Sequence, residues 1–359
     1  NAWILIENDL IAQVGTSAAP AAADAQTINA GGKLVTPGLV DAHTHLIFGG
    51  WRQNELALKL HGAGYLDILA AGGGILSTMR ATQSASEEQL EAKASAALDE
   101  MLRFGTTTAE AKSGYGLSTE EECKALRVIG KLQKHHVMDL AATFMGAHAV
   151  PEAYRDNRQG YLELLCEEML PAVREQGIAE FCDVFCEKGV FSAEESRRIL
   201  LTGRQHGLRP KIHADEIEAI GGSELAGEIG AVSAEHLIVC PPSGIASMAR
   251  GGTVACCLPA TSFYLGAAYA PVQDMVQAGV PVAMATDFNP GSCPCLNMQL
   301  VISLGCLRYR LTPEQALTAV TLNGAAAICR ADRIGSIEPG KQADILIWNA
   351  EDLDYICYR

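Results

Sequence analysis

The chain has 359 residues, 48% apolar and 19% charged, so it can bury a large core as one α/β domain or two smaller ones and is not disordered. Acidic residues outnumber basic ones by 42 to 27, a formal net charge of −15, which argues against a nucleic-acid partner because phosphate binding needs clustered Lys and Arg. No apolar run reaches membrane-spanning length, Asn1-Ala2-Trp3-Ile4 is no signal peptide, and the twelve cysteines are scattered like the buried, reduced thiols of a cytoplasmic protein.

Along the chain, Trp3-Ile4-Leu5-Ile6 and the run 10–15 predict a short β-hairpin, followed by an Ala-rich loop. Eight strand-like runs then alternate with amphipathic helical stretches: 34–45, 106–112, 140–148, 181–187, 210–213, 231–236, 252–258 and 280–287. Helix starts are marked by capping boxes at Ser118/Glu121 and Ser192/Glu195, and by Thr312 with Pro313 at the first helical position. Eight such units suit a closed (β/α)8 TIM-type barrel better than an open sheet. Gly72-Gly73-Gly74 lacks the Lys-Ser/Thr of a phosphate loop and reads as a flexible lid or turn. The segment 335–348 predicts strands around the turn Pro339-Gly340. Residues 34–334 are thus expected to form the barrel, with 1–33 and 335–359 forming a small flanking β-sandwich domain. Neither end reads as complete, and the small domain is expected to lack terminal strands.

In such a barrel, functional groups sit at the C-terminal ends of the strands. Those ends carry His43 and His45, Lys112, His148, Glu187, His213, His236 and Asp287, more ionisable groups than packing accounts for. His43 and His45 alternate with Thr44, so both imidazoles leave an extended strand on one face. His213, His236 and Asp287 offer further imidazoles and a carboxylate, enough for a metal site with room for water. A metal so held lowers the pKa of water toward about 7 and polarises a carbonyl. Three imidazoles and a carboxylate suit zinc or iron, and also manganese. Lys112 and Glu187 are expected to pair inside the barrel mouth. His61, His135, His136 and His206 read as surface or helix-end residues, and Cys293-Pro294-Cys295 lacks the second pair of a zinc site.

The segment Leu34-Val35-Thr36-Pro37-Gly38-Leu39-Val40-Asp41-Ala42-His43-Thr44-His45 resembles the opening strand of the amidohydrolase superfamily, and Pro339-Gly340-Lys341-Gln342-Ala343-Asp344-Ile345 resembles its return to the small β-domain. Within that superfamily the chain resembles the imidazolonepropionase family over nearly its whole length. The segments concerned are 112–117, 146–151, His213-Ala214-Asp215-Glu216, 233–237 and Thr286-Asp287-Phe288-Asn289-Pro290-Gly291-Ser292. The resemblance implies His43, His45, His213 and Asp287 as ligands of one metal ion. It implies Arg52, Tyr115 and His148 as substrate contacts, Glu216 and His236 beside the reacting group, and Asn289, Gly291 and Ser292 as a substrate or product loop. It implies hydrolysis of 4-imidazolone-5-propanoate to N-formimidoyl-L-glutamate, and a homodimer.

Opening a cyclic amide needs a nucleophilic water, stabilisation of the carbonyl oxygen and a proton for the departing nitrogen. The metal serves the first, His236 with the metal the second, and Glu216, with Asp287 sharing the proton work, the third. Arg52 offers a forked donor to a carboxylate, which a propionate arm supplies. Two alternatives stay open: another cyclic amidase or deaminase of the superfamily, such as a formiminoglutamate deiminase-like enzyme, and a non-catalytic barrel.

Overall fold

The structure, a computed structural model, describes residues 2–20, 25–62 and 73–358. The Ala-rich loop and the Gly72-Gly73-Gly74 run fall partly outside the described residues. Gly74, with a left-handed φ of 71°, leads into the helix Ile75–Ser84.

A hairpin of β1 (Trp3–Glu7) and β2 (Leu10–Gly15) opens the chain. Asn8 and Asp9 at its tip both take positive φ, as a tight two-residue hairpin turn demands. The run expected as one strand over 34–45 is split at Gly38. Its first part, β3 (Val35–Pro37), pairs antiparallel with the C-terminal β12 (Ile345–Ile347), and its second, β4 (Leu39–Asp41), enters the barrel. Glycine fits the break because a Cβ there would run into the Thr107 side chain. The tail segment contributes the single strand β12 and an isolated bridge from Gln342 to Leu10, which ties the two antiparallel pairs together.

The barrel continues through β5 (Thr106–Lys112), β6 (Asp139–Ala147), β7 (Phe181–Cys186), β8 (Arg209–Ala214), β9 (Ser233–His236), β10 (Val254–Cys257) and β11 (Val282–Met284). These eight strands lie side by side in chain order, from β4 to β11, all parallel. Just past their C-terminal ends the first and last strands meet. The Asp287 N–H donates to the His43 carbonyl at 3.1 Å, and the His45 N–H to the Phe288 carbonyl at 2.9 Å. The sheet therefore closes at three of the residues expected to bind metal.

Helices cover the outside, so the strands are buried on both faces and read as nearly continuous apolar runs. The helix Glu87–Arg103 shows the pattern, burying Leu90, Ala94, Leu98 and Met101 along one stripe. Inside, Val40, Ala42, Ala141, Phe181, Val254, Cys256 and Ala283 form an apolar floor, closed from below by Ala325, Ala327, Ile328 and Ile334.

The Ser192/Glu195 capping box forms, and Thr312 caps its helix with Gln315 as reciprocal partner and Pro313 behind it. A third box, Ser86/Gln89, has the same spacing. Ser118 and Glu121 form none: Glu121 pairs with Lys124 instead, and the neighbouring Glu122 turns inward. His136 and His206 sit at helix C-caps. Among the described residues no helix is long and apolar enough to cross a membrane.

Candidate metal centre

The strand-end rule brings the expected ligands to one point. His43 Nε2 lies 3.4 Å from Asp287 Oδ1, His45 Nε2 lies 3.6 Å from the same oxygen, and His45 and His213 face each other at 3.3 Å between Nε2 atoms. All four side chains are buried. Among the described residues His43 Nε2 and Asp287 Oδ1 have no hydrogen-bond partner, although both are sealed from water. Unpartnered buried lone pairs on imidazoles and a carboxylate are the donor set a divalent cation takes, so the residues fit a metal. His236 stands beside them, and its ring, with those of His43 and His213, forms a second set of ligand atoms within 4.8 Å of one another.

The electrostatics agree with that use. Burial holds His45 and His213 well below the usual imidazole range, so both are neutral. Burial is the largest single influence on His43 and disfavours its charged form, but the Glu235 and Asp287 carboxylates together outweigh it and raise the group to about 9. A second proton, at Nε2 of that ring, and a cation there are alternatives. Asp287 is held ionised, at about 2: burial opposes the charge, while His43, His236 and the Thr261 hydroxyl, donating at 2.7 Å, sustain it.

The backbone around the centre is strained. Asp215, His236, Leu237 and Asp287, none of them glycine, take φ between 54° and 70° where β8, β9 and β11 end. Each such residue costs on the order of 1 kcal/mol and persists only where its surroundings over-determine it.

The remaining expected residues form the walls. The His148 ring stacks on His45, with centroids 4.8 Å apart and planes 15° apart, and its Nδ1 is 3.0 Å from the Gly114 carbonyl. That contact puts the proton on Nδ1 and the lone pair on Nε2. Tyr115 lies 5.1 Å from the His148 ring and is kept protonated by burial. Glu216 Oε2 is 3.7 Å from His236 Nε2, and burial raises its carboxyl above the usual range. Arg52 has its Nε within 3.1 Å of both Glu55 oxygens, and its guanidinium passes so close to Gly291 that a Cβ there would collide with it. Asn289 is used within its own loop: its amide donates to the Asp287 carbonyl and Ser292 Oγ, while its oxygen receives the N–H groups of Gly291 and Ser292.

This geometry meets the comparisons with known proteins. A profile described as "Amidohydrolase family" matches residues 34–356. A protein named imidazolonepropionase from Alkaliphilus metalliredigens is 53% identical over 99% of this chain and 86% of its own length. One so named from Bacillus cereus is 51% identical over 100% and 85%. The chain belongs to the amidohydrolase family, among the imidazolonepropionases. Solved structures add the fold: 5-methylcytosine deaminase from Klebsiella pneumoniae is similar with a TM-score of 0.76 at 19% identity, covering 99% of this chain and 90% of its own. An adenosine deaminase from Xanthomonas campestris, solved with bound zinc, gives 0.64 at 21% identity, covering 90% and 76%.

One expectation about the site fails within this member of the family. Lys112 does not pair with Glu187. Its ammonium sits among Asp183 (2.7 Å), Glu110 (2.9 Å) and Glu235 (3.0 Å), one layer below the ligands. Glu187 instead accepts the N–H groups of Lys188, Ile217 and Glu218, because the chain has already turned out of the barrel after Cys186. Lys188 points outward and pairs with Glu218. The sequence reading also missed Glu110, Asp183, Lys211 and Glu235, all fully buried. A signal existed: Glu110 precedes Lys112, and Lys211 precedes His213, by two residues, so each pair shares the inward face of its strand. Glu122 was missed as well; it accepts the N–H groups of Gly114, Gly116 and Leu117 at 2.8–3.0 Å and holds the Tyr115 loop.

Proposed function

We propose that the chain hydrolyses 4-imidazolone-5-propanoate to N-formimidoyl-L-glutamate at this centre, with one metal ion, zinc or iron, held by His43, His45, His213 and Asp287. The observation that carries the reading is the identity of 50–53% with proteins named imidazolonepropionase over 99% of the chain. A bound metal supplies Lewis acidity and a nucleophile at neutral pH.

The side chains supply the rest. Arg52, its Nε anchored by Glu55, presents the ends of its fork to the propionate carboxylate. Tyr115 and the free Nε2 of His148 contact the ring and orient it. His236 donates to the carbonyl oxygen as charge develops there. Glu216, raised by burial and close to His236, moves the proton to the departing nitrogen. Asp287, held ionised, is a ligand and accepts a proton only transiently. Asn289, Gly291 and Ser292 shape the loop that confines the carboxylate end. A small-molecule substrate, a cytoplasmic location with reduced thiols and a homodimer belong to the same reading. All twelve cysteines stand as free thiols, which supports it.

The test follows the ultraviolet absorbance of freshly made imidazolone propionate. Purified protein consumes it, and a chelator stops the loss; no metal-dependent consumption sinks the reading. Glu216→Gln lowers kcat by about 10²–10⁴ if it moves the proton, and a variant within about threefold of wild type removes Glu216 from that role. Metal analysis gives one equivalent per chain; two would overturn the single-ion centre.

A further inference from the structure

Beneath the ligands, Glu110, Lys112, Asp183, Lys211 and Glu235 fill the barrel interior without exposure to water. Taking ions out of water is costly, and a cluster like this stabilises a fold no better than well-packed apolar side chains. Stability alone therefore does not account for charges in a barrel whose floor is aliphatic.

Their contacts run in two tiers. Lys112 Nζ is 2.7 Å from Asp183, 2.9 Å from Glu110 and 3.0 Å from Glu235, and Lys211 Nζ is 2.7 Å from Glu110 and 3.0 Å from Glu235. The two ammonium groups thus pin three carboxylates. Two of these also face upward: Glu235 Oε2 lies 2.5 Å from His43 Nδ1, and Asp183 Oδ2 lies 3.0 Å from His213 Nδ1. These are close contacts rather than aligned hydrogen bonds, since among the described residues neither Nδ1 has a hydrogen-bond partner of good geometry. A carboxylate so near Nδ1 keeps that nitrogen protonated and leaves the Nε2 lone pair for the centre. Among the described residues His45 has no such carboxylate and no partner at its Nδ1, and its ring is held by stacking on His148.

We propose that Asp183 and Glu235, clamped from below by Lys112 and Lys211, are positioning residues that set the tautomer and orientation of His213 and His43 and thereby the affinity of the metal centre. The inference rests on those histidines being ligands, as proposed above.

The experiment uses the full chain and zinc as the probe. Zinc affinity is measured by chelator competition for wild type, His213→Ala, Asp183→Asn and Glu235→Gln, and the thermal midpoint of each metal-free protein is recorded. Wild type binds one zinc and His213→Ala loses it; if these two bind alike, the ligand reading itself fails and the positioning role with it. Given that loss, Asp183→Asn and Glu235→Gln weaken zinc by about 10- to 100-fold, the range for outer partners of ligating histidines. Affinities within about threefold of wild type overturn the proposal, as does a fall in metal-free midpoint with zinc affinity unchanged, the mark of a merely structural role. A second measurement needs no variant: nitrogen-15 spectra of histidine-labelled, zinc-loaded wild type should show His43 and His213 protonated at Nδ1 and metal-bound at Nε2. The reverse assignment at either ring overturns it.

Discussion

Arg52 shows how much one side chain can carry and how it can be displaced. Glu55 holds its Nε, and the guanidinium lies against the bare Cα of Gly291. Replacing Arg52 with Met should raise KM for imidazolone propionate more than it lowers kcat, with kcat/KM falling about 10- to 100-fold, since hydrogen bonds to charged groups are worth roughly 1.5–3 kcal/mol. Lys at this position should restore little, because a point charge cannot replace the fork. Gly291→Ala should act in the same direction by pushing the guanidinium aside, and steady-state kinetics read all three. His148 carries a pH signature. Burial lowers its pKa to about 4. A folded value below the unfolded 6.5 means the unfolded chain takes up the proton first as pH falls. The stability is whole above about pH 6.5 and declines toward pH 4. Denaturant titrations of metal-free protein at pH 7 and pH 5 should show a loss on the order of 1–2 kcal/mol that His148→Asn lacks. His213, lowered chiefly by burial, pushes the same way in both proteins and cancels in the comparison, as does the burial part of the His45 shift.

Two helix starts that look alike in sequence differ in the fold, and the difference is measurable. Ser192 caps its helix and is answered by Glu195, whereas Ser118 makes no side-chain cap bond. Ser192→Ala should destabilise the protein by about 1 kcal/mol and Ser118→Ala by a few tenths at most, in the same denaturant assay. Equal effects would show that the Ser118 helix is capped after all. The Ser118 helix also differs four residues on. Glu122 abandons the helix surface to bind three N–H groups of the loop that carries Tyr115. The element thus lacks a side-chain cap at its start and fixes the loop of Tyr115 through Glu122.

The barrel closes through His43, His45, Asp287 and Phe288, so the proposed metal centre and the seam of the fold are one place. A metal there should therefore stabilise the entire molecule. At a thousandfold excess over its dissociation constant, a ligand bound only by the folded state contributes about 4 kcal/mol. Calorimetry with and without chelator should show the midpoint fall by several degrees on metal removal, and an unchanged midpoint would place the metal elsewhere.

Much of this was legible without the fold. The eight strands, their order and the inward alternation of His43 with His45 follow from local hydrophobic pattern and the period of an extended chain, which need no knowledge of distant neighbours. The rule that barrel function sits at strand ends then gathered His213, His236 and Asp287 as candidates. What stayed hidden depended on contacts across the barrel. Lys112 meets Asp183 71 residues away, and Asp41 accepts from Thr286 across 245, so no local window pairs them. Hence Lys112 was assigned to Glu187, one strand end too high, and the carboxylates behind the histidines went unread. The split of the first strand at Gly38 was hidden for the same reason, because its cause is Thr107 on another strand. Sequence by itself determined which residues could serve as ligands, because chemistry and strand period are local properties. Only the tertiary structure decided which charges stand behind them, because that is set by barrel closure and by the need to pair every buried ion.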